Sequence, residues 1–139
     1  MTPPHRTVYL TGDPLLVAEF GTICHASAFN VVCRLNAPGP LPRYIRKSAT
    51  VPKSALLGID LSNIDREIKQ NNILQMDKSL PSKAIILSSS VTVSATEQAT
   101  WLCWPERLLG IGALPDLIAK PLVEIAPTLH TSRSTVETA

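Results

Sequence analysis

The sequence predicts an α/β domain: a mostly parallel sheet with helices on both faces. Three observations carry that expectation. Short aliphatic runs alternate with longer stretches of helical period. The run AIIL at residues 84–87 is continuously apolar, as a strand covered on both faces is. The opening strand, helix and strand fill about thirty residues, the length of one βαβ unit. Strand, helix, strand repeated in this way calls for parallel pairing with crossovers.

The elements follow in order. TVYLT at 7–11 reads as a strand, with its centre at 8–10, bounded by Gly12. Asp13 then serves as N-cap and Pro14 as first helical residue. The helix runs to about residue 27, with Leu15, Leu16, Ala18, Phe20, Ile23, Cys24 and Ala28 as its apolar face. Residues 31–34 form a second strand. NAPGPLPRYIRKSATVPK at 36–53 is rich in proline and basic residues and has no helical period. It reads as a loop with a short helical turn at 43–47. Residues 56–59 are the next strand. Ser62 and Asp65 fit a capping box that opens a helix over 63–79. Ile64, Ile68, Ile73 and Met76 face inward, and the helix stops before Pro81. After the strand at 84–87, Ser94 and Glu97 make a second capping box, for a helix over 95–103. Strands at 108–111 and 122–125 complete the sheet, and 131–136 begins a further helix.

The chain has 139 residues, 45% of them hydrophobic, enough for one domain spanning 1–139 with a real core. A net charge of +2 points to neither nucleic acid nor membrane as a partner. No apolar run approaches the ~18 residues of a membrane span. No secretory signal is visible, so the expected location is cytoplasmic. Cys24, Cys33 and Cys103 are odd in number and lack metal-type spacing, so no metal site is expected. All three fall in predicted elements and read as buried free thiols. His5, His25 and His130 read as surface or packing residues.

The most informative stretch is 83–137. After the strand at 84–87 come S-S-S-V-T-V at 88–93, the capped helix and P-E-R at 105–107. A strand, P-L-V-E-I at 121–125 and T-S-R-S-T-V-E at 131–137 follow. In that order and spacing the chain resembles the NAD-binding domain of the 3-hydroxyacyl-CoA dehydrogenases. The resemblance is strong over 57–137 and weak before Asn36. It implies a Rossmann-like fold and, in the family, NAD-dependent oxidation of a hydroxyacyl-CoA in fatty acid metabolism.

Carried over residue by residue, the resemblance also marks departures. The family's G-x-G-x-x-G falls on Gly12 to Val17, where only Gly12 is kept. Pro14 stands at the second glycine and has no N–H for a pyrophosphate, and Val17 stands at the third, where helix and strand pack closely. Asp13 adds a negative charge. The acidic residue that binds the ribose falls on Leu35. The catalytic serine falls on Val91 and the catalytic histidine on Gly112, which cannot transfer a proton. The glutamate that orients that histidine is kept as Glu124. The residual cofactor-side positions are Gly12, Ser88 and Ser89. Residues 36–53 are expected to replace the family's helical hairpin, and the expectation is of no C-terminal helical domain. The first expectation is therefore a truncated, degenerate Rossmann-like homologue without dehydrogenase activity and without NAD, in a binding or structural role. A homodimer is expected, with residues 122–125 and 101–104 as contact surfaces. One alternative is an NAD-dependent dehydrogenase that needs a partner chain. Another is a non-catalytic binder of CoA or a nucleotide.

Overall fold

The structure is a computed structural model that describes residues 6–112, 124–128 and 130–138. The chain runs β1 (Arg6–Gly12), α1 (Pro14–Ala26), β2 (Phe29–Leu35), β3 (Ile45–Lys47), β4 (Ala55–Leu61) and α2 (Arg66–Ser79). It continues through β5 (Ile85–Ser89), α3 (Ala95–Ala99), a 3₁₀ turn (Pro105–Arg107), β6 (Leu108–Gly112), β7 (Glu124–Pro127) and α4 (Arg133–Thr138). The strands form one sheet in the order β3-β2-β1-β4-β5-β6-β7. All neighbours pair in parallel except β6 and β7, which are antiparallel. The chain winds outward from β1 to β3, then returns to place β4 on the other side of β1. This is the doubly wound Rossmann-like order, and it leaves a crevice at the carboxyl ends of β1 and β4.

Alternating residues of the strands feed two cores. On one face Val8, Leu10, Val31, Cys33, Ile59 and Leu61 pack against Leu16, Val17 and Phe20 of α1. On the other, Tyr9, Val32, Ile86 and Leu108 pack against Met76 and Leu80 of the α2 end and Ala99 of α3. Burying each large side chain stabilises by about 1.5–3 kcal/mol, which is why the apolar runs locate the strands. The buried residues of α1 are Leu16, Val17, Glu19, Phe20 and Gly21, whereas Leu15 is 60% exposed. The helix ends in Ser27 and then Ala28 at φ 68, so Ala28 closes the helix instead of extending its apolar face.

Five local expectations need correction. The turn expected at 43–47 contains the edge strand β3, because Ile45 inserts into the α1-side core and carries its neighbours into register with Val31–Cys33. The N-cap of α2 is Asp65, whose carboxylate accepts from the amides of Glu67 and Ile68; Ser62 caps nothing and faces inward. Ile64 is 89% exposed and Ile68 37% exposed, while Lys69 and Asn72 take the buried positions. Helix α3 stops at Ala99, where turns bring the amide of Cys103 onto Asp77 Oδ2 at 2.8 Å. Of the second capping box the structure keeps the N-cap half: Ser94 Oγ accepts from the amide of Glu97, while the Glu97 carboxylate pairs with Arg66. The thiol of Cys103 is exposed, Cys24 is half-buried and Cys33 is buried, so the expectation of three buried thiols fails at Cys103. The expected strand start at 122–123 lies outside the described residues.

The β2-to-β3 crossover has no helix. Residues 36–44 instead form a strap beside α1. Gly39 sits against Pro14, where an added Cβ would fall 2.4 Å from Pro14 Cβ. Leu41 packs on the α1-side core. Tyr44 stacks on His25 with ring centroids 4.0 Å apart, and its hydroxyl lies 2.9 Å from Thr22 Oγ1.

Candidate functional site

The carboxyl ends of β1, β2 and β4 meet at Gly12, Leu35 and Leu61, which are register partners. Gly12 has φ +131, and a Cβ there would lie 2.4 Å from the carbonyl carbon of Leu61. Its amide neighbours are tied across the crevice. Asp13 N–H donates to the Leu61 carbonyl at 3.3 Å, and Asn36 N–H donates to the Gly12 carbonyl at 3.0 Å. Asp13 occupies the N-cap of α1 without a side-chain cap. Its carboxylate reaches sideways instead: Oδ2 accepts from the amide of Asn63 at 3.2 Å and Oδ1 from Asn36 Nδ2 at 3.5 Å. The carboxylate thus sets a negative charge beside the N-terminus of α1 without bonding its amides.

Beneath it lies a dense polar network. Asp60 is fully buried, and its carboxylate accepts from Thr11 Oγ1 at 2.8 Å, Ser62 Oγ at 2.8 Å and Lys69 Nζ at 2.8 Å. Lys69 Nζ donates also to the Ser62 carbonyl at 3.0 Å. Asn72 Nδ2 reaches Ser62 Oγ at 3.1 Å and Asn36 Oδ1 at 3.1 Å, which links α2 to the strap. Asn36 Nδ2 donates to Ser62 Oγ at 2.8 Å. Ser89 Oγ donates to Asn63 Oδ1 and joins the end of β5 to the same loop. A charge is tolerated this deep only when paired and hydrogen-bonded, and Thr11, Ser62 and Lys69 do this for Asp60.

The positions singled out from the sequence fall as follows. Gly12 is the hinge of the switch point. Ser89 faces the crevice through Asn63. Ser88 is fully buried on the α2 face in register with Asp60, and its hydroxyl has no hydrogen-bond partner among the described residues. Val91 is 59% exposed on the loop after β5. Gly112 ends β6 and is the ladder partner of Glu124 on β7, so these two positions meet on adjacent strands. The site residues that the sequence did not mark are Asp60, Ser62, Asn63, Lys69 and Asn72. The available signal was polar residues at the end of an apolar strand, together with Lys69 and Asn72 three apart on the inner face of α2. Among the described residues no group of three or more His, Cys, Asp or Glu side chains is placed to hold a metal ion. No helix among them is long and apolar enough to cross a membrane.

The sequence pattern of the 3-hydroxyacyl-CoA dehydrogenase NAD binding domain matches residues 62–139, more than half of the chain. The chain belongs to this family. Solved structures agree in fold. The (S)-3-hydroxybutyryl-CoA dehydrogenase of Ralstonia eutropha superposes with a TM-score of 0.84 at 19% identity, over 97% of this chain and 58% of that one. The 3-hydroxyacyl-CoA dehydrogenase of Archaeoglobus fulgidus gives 0.80 at 22% identity, over 96% and 51%. The 3-hydroxybutyryl-CoA dehydrogenase of Escherichia coli gives 0.83 at 17% identity, over 98% and 35%. The chain thus spans between about a third and three-fifths of the length of these proteins. No curated protein sequence matches it.

For this member of the 3-hydroxyacyl-CoA dehydrogenase NAD-binding family, the crevice geometry bears on the cofactor. A pyrophosphate needs free amides and open backbone at the N-terminus of α1. Pro14 supplies no N–H, the Asp13 amide is engaged by Leu61, and the Asp13 carboxylate repels an anion. Leu35 packs against the α1-side core and offers a ribose no acceptor. Val17 is fully buried against the strands, filling the space a glycine would leave. These residues do not fit a dinucleotide.

Proposed function

We propose that this chain is a non-catalytic member of its family, with a binding or structural role in place of hydride transfer. The observation that carries the reading is the Asp13 carboxylate, bonded to Asn63 and Asn36 at the N-terminus of α1. It supplies from within the negative charge that the helix end and crevice favour. Gly112 supports the same reading, since the position opposite Glu124 has no side chain with which to take a hydroxyl proton. NAD is not a resident cofactor in this account, and the expected location is cytoplasmic.

We also propose a homodimer. Strand β7 is paired on its β6 side in the sheet order, and Ile125 on it is 45% exposed. Trp104 nearby in the chain's last third is 52% exposed. Exposed apolar residues on an edge strand favour pairing with another copy.

The test of function is reduction of acetoacetyl-CoA by NADH. The expected result is no turnover above the uncatalysed rate. Turnover of order 1–10³ per second overturns the reading and favours the alternative of a working dehydrogenase.

A further inference from the structure

Strand β3 is one flank of the sheet, and among the described residues no strand pairs beyond it. Register sets its two faces. Ile45 aligns with Val31 and Lys47 with Cys33, both in the α1-side core, while Arg46 aligns with Val32 in the α2-side core. Arg46 and Lys47 therefore project on opposite faces of the edge. The Ser48 N–H donates to the Cys33 carbonyl at 2.9 Å, so backbone alternation turns both the N–H and the carbonyl of Lys47 outward. The Ile45 N–H is closed on the Pro42 carbonyl at 3.1 Å. Lys47 is thus the residue of β3 that offers both groups to a further strand. Charge here is of one sign. Between residues 20 and 59 there is no Asp or Glu. Arg43, Arg46 and Lys47 are exposed, and among the described residues none makes an ion pair. A cavity of about 290 Å³ opens beside Arg46, lined by Thr7, Val32, Ser48, Thr50 and Ser54 among others. Gly12, Leu35 and Leu61 of the switch point do not line it.

We propose that the outer edge of β3 accepts an extended acidic segment of a partner protein as an added strand, with neighbouring carboxylates paired to Arg46 and Lys47 on the two faces of the sheet. Such a strand bonds its backbone to Lys47, and its successive side chains alternate between the faces. One acidic residue then stands by Lys47 and the next by Arg46, at the mouth of the cavity. Opposite charges on neighbouring strands stabilise the pairing and like charges oppose it. The same rule selects the occupant. A second copy of this chain would bring its own Arg43, Arg46 and Lys47 against these and is rejected, which leaves association between copies to β7. Nucleic acid fits less well, because no aromatic side chain lines the cavity to stack a base. The proposal gives a partner chemistry to the binding role proposed above, but it is read at the β3 edge, whereas the loss of hydride transfer is read by acetoacetyl-CoA reduction.

The experiment is titration of the isotope-labelled full chain at low salt with the peptide acetyl-TVTEDVTV-amide, followed by amide NMR spectra and amide hydrogen exchange. The same peptide with lysine in place of both acids, a single-stranded oligonucleotide and phosphatidylserine vesicles serve as comparisons. The expected dissociation constant for the acidic peptide is about 1 mM or tighter. Exchange of the Lys47 amide should slow about sixfold at five times that concentration, since one chain in about six then remains free. R46E/K47E should weaken binding at least about tenfold, the size of one charge-assisted contact. K47P and K47Q remove the same charge, but only proline removes the outward N–H, and an edge strand tolerates proline where the N–H faces solvent. K47P should therefore bind at least about tenfold more weakly than K47Q. R133Q, on helix α4, should leave binding unchanged. Melting shows whether the variants fold, and the Lys47 exchange, read in the wild type, decides even where a variant melts early. No binding by the wild type overturns the proposal, as does unchanged Lys47 exchange at saturation. Equal binding by folded K47P and K47Q reduces the edge to a charged surface and overturns strand addition. Binding of the lysine peptide as tightly as the acidic one overturns the charge assignment. Tighter binding of the oligonucleotide or the vesicles than of the acidic peptide overturns the choice of a polypeptide partner.

Discussion

Lys69 Nζ lies 2.8 Å from Asp60 Oδ2, with the two side chains 1% and 0% exposed. The pair joins the first turn of α2 to the carboxyl end of β4 and sits beneath the switch point. Asp60 accepts from Thr11, Ser62 and Lys69, and Lys69 donates to Asp60 and to the Ser62 carbonyl. Removing one member leaves the other charged, buried and unpaired. Lys69→Met should therefore cost about 3–5 kcal/mol. Adding Asp60→Asn to that variant should restore a good part of the loss. Urea unfolding measures both, and a loss below about 1 kcal/mol for Lys69→Met would show that water reaches the pair.

Gly12 is kept for the fold. Its φ of +131 and the 2.4 Å approach of an added Cβ to Leu61 leave no room for a side chain. Gly12→Ala should cost about 3 kcal/mol or more, combining backbone strain with overpacking. A variant that melts within a few degrees of wild type would mean that the turn is looser than described.

The cysteines give a pH dependence with a definite sign. Burial pushes the Cys24 thiol up to about 11 from its ordinary 9.0. Burial raises Cys33 as well, against a smaller opposing effect of Lys47. In the unfolded chain these thiols ionise first, so the folded state holds more protons between the two values. Stability is fully present below about pH 9 and falls as pH rises towards about 11. Urea midpoints along that range should fall less steeply in Cys24→Ala than in wild type; equal slopes would refute the burial effect. Alkylation at neutral pH should modify the exposed Cys103 well before Cys24 or Cys33.

Association is tested by mass. Light scattering at micromolar concentration should report twice the chain mass of 15.0 kDa. Ile125→Lys, on the edge strand, should shift the protein towards the monomer. A wild-type mass of one chain refutes the dimer.

How much of this was legible in the sequence depended on how local the cause was. The α1 start at Asp13-Pro14 and the Ser94 cap are set within a few residues, and both appear where the sequence puts them. The apolar strands are found by their runs alone. Strand β3 was missed because its three residues have no pattern of their own; pairing with β2 and the insertion of Ile45 make it a strand. The inner face of α2 was misread because Ile64 and Ile68 look like core residues until Asp60 is known to lie opposite Lys69. The alignment of Gly112 with Glu124 was implied by the resemblance, and the ladder between β6 and β7 now pairs them. The lost amide, the lost space and the lost ribose acceptor are legible at Pro14, Val17 and Leu35. The crevice's actual fastening, through Asn36, Asn63 and Asn72, joins four separate segments and left no contiguous trace.

The central claim is that the chain's own residues fill the place of a dinucleotide. Calorimetric titration with NADH tests it most directly. The account predicts no saturable heat at ligand concentrations up to about 1 mM, the weak limit of specific affinity. A dissociation constant in the micromolar range would contradict it.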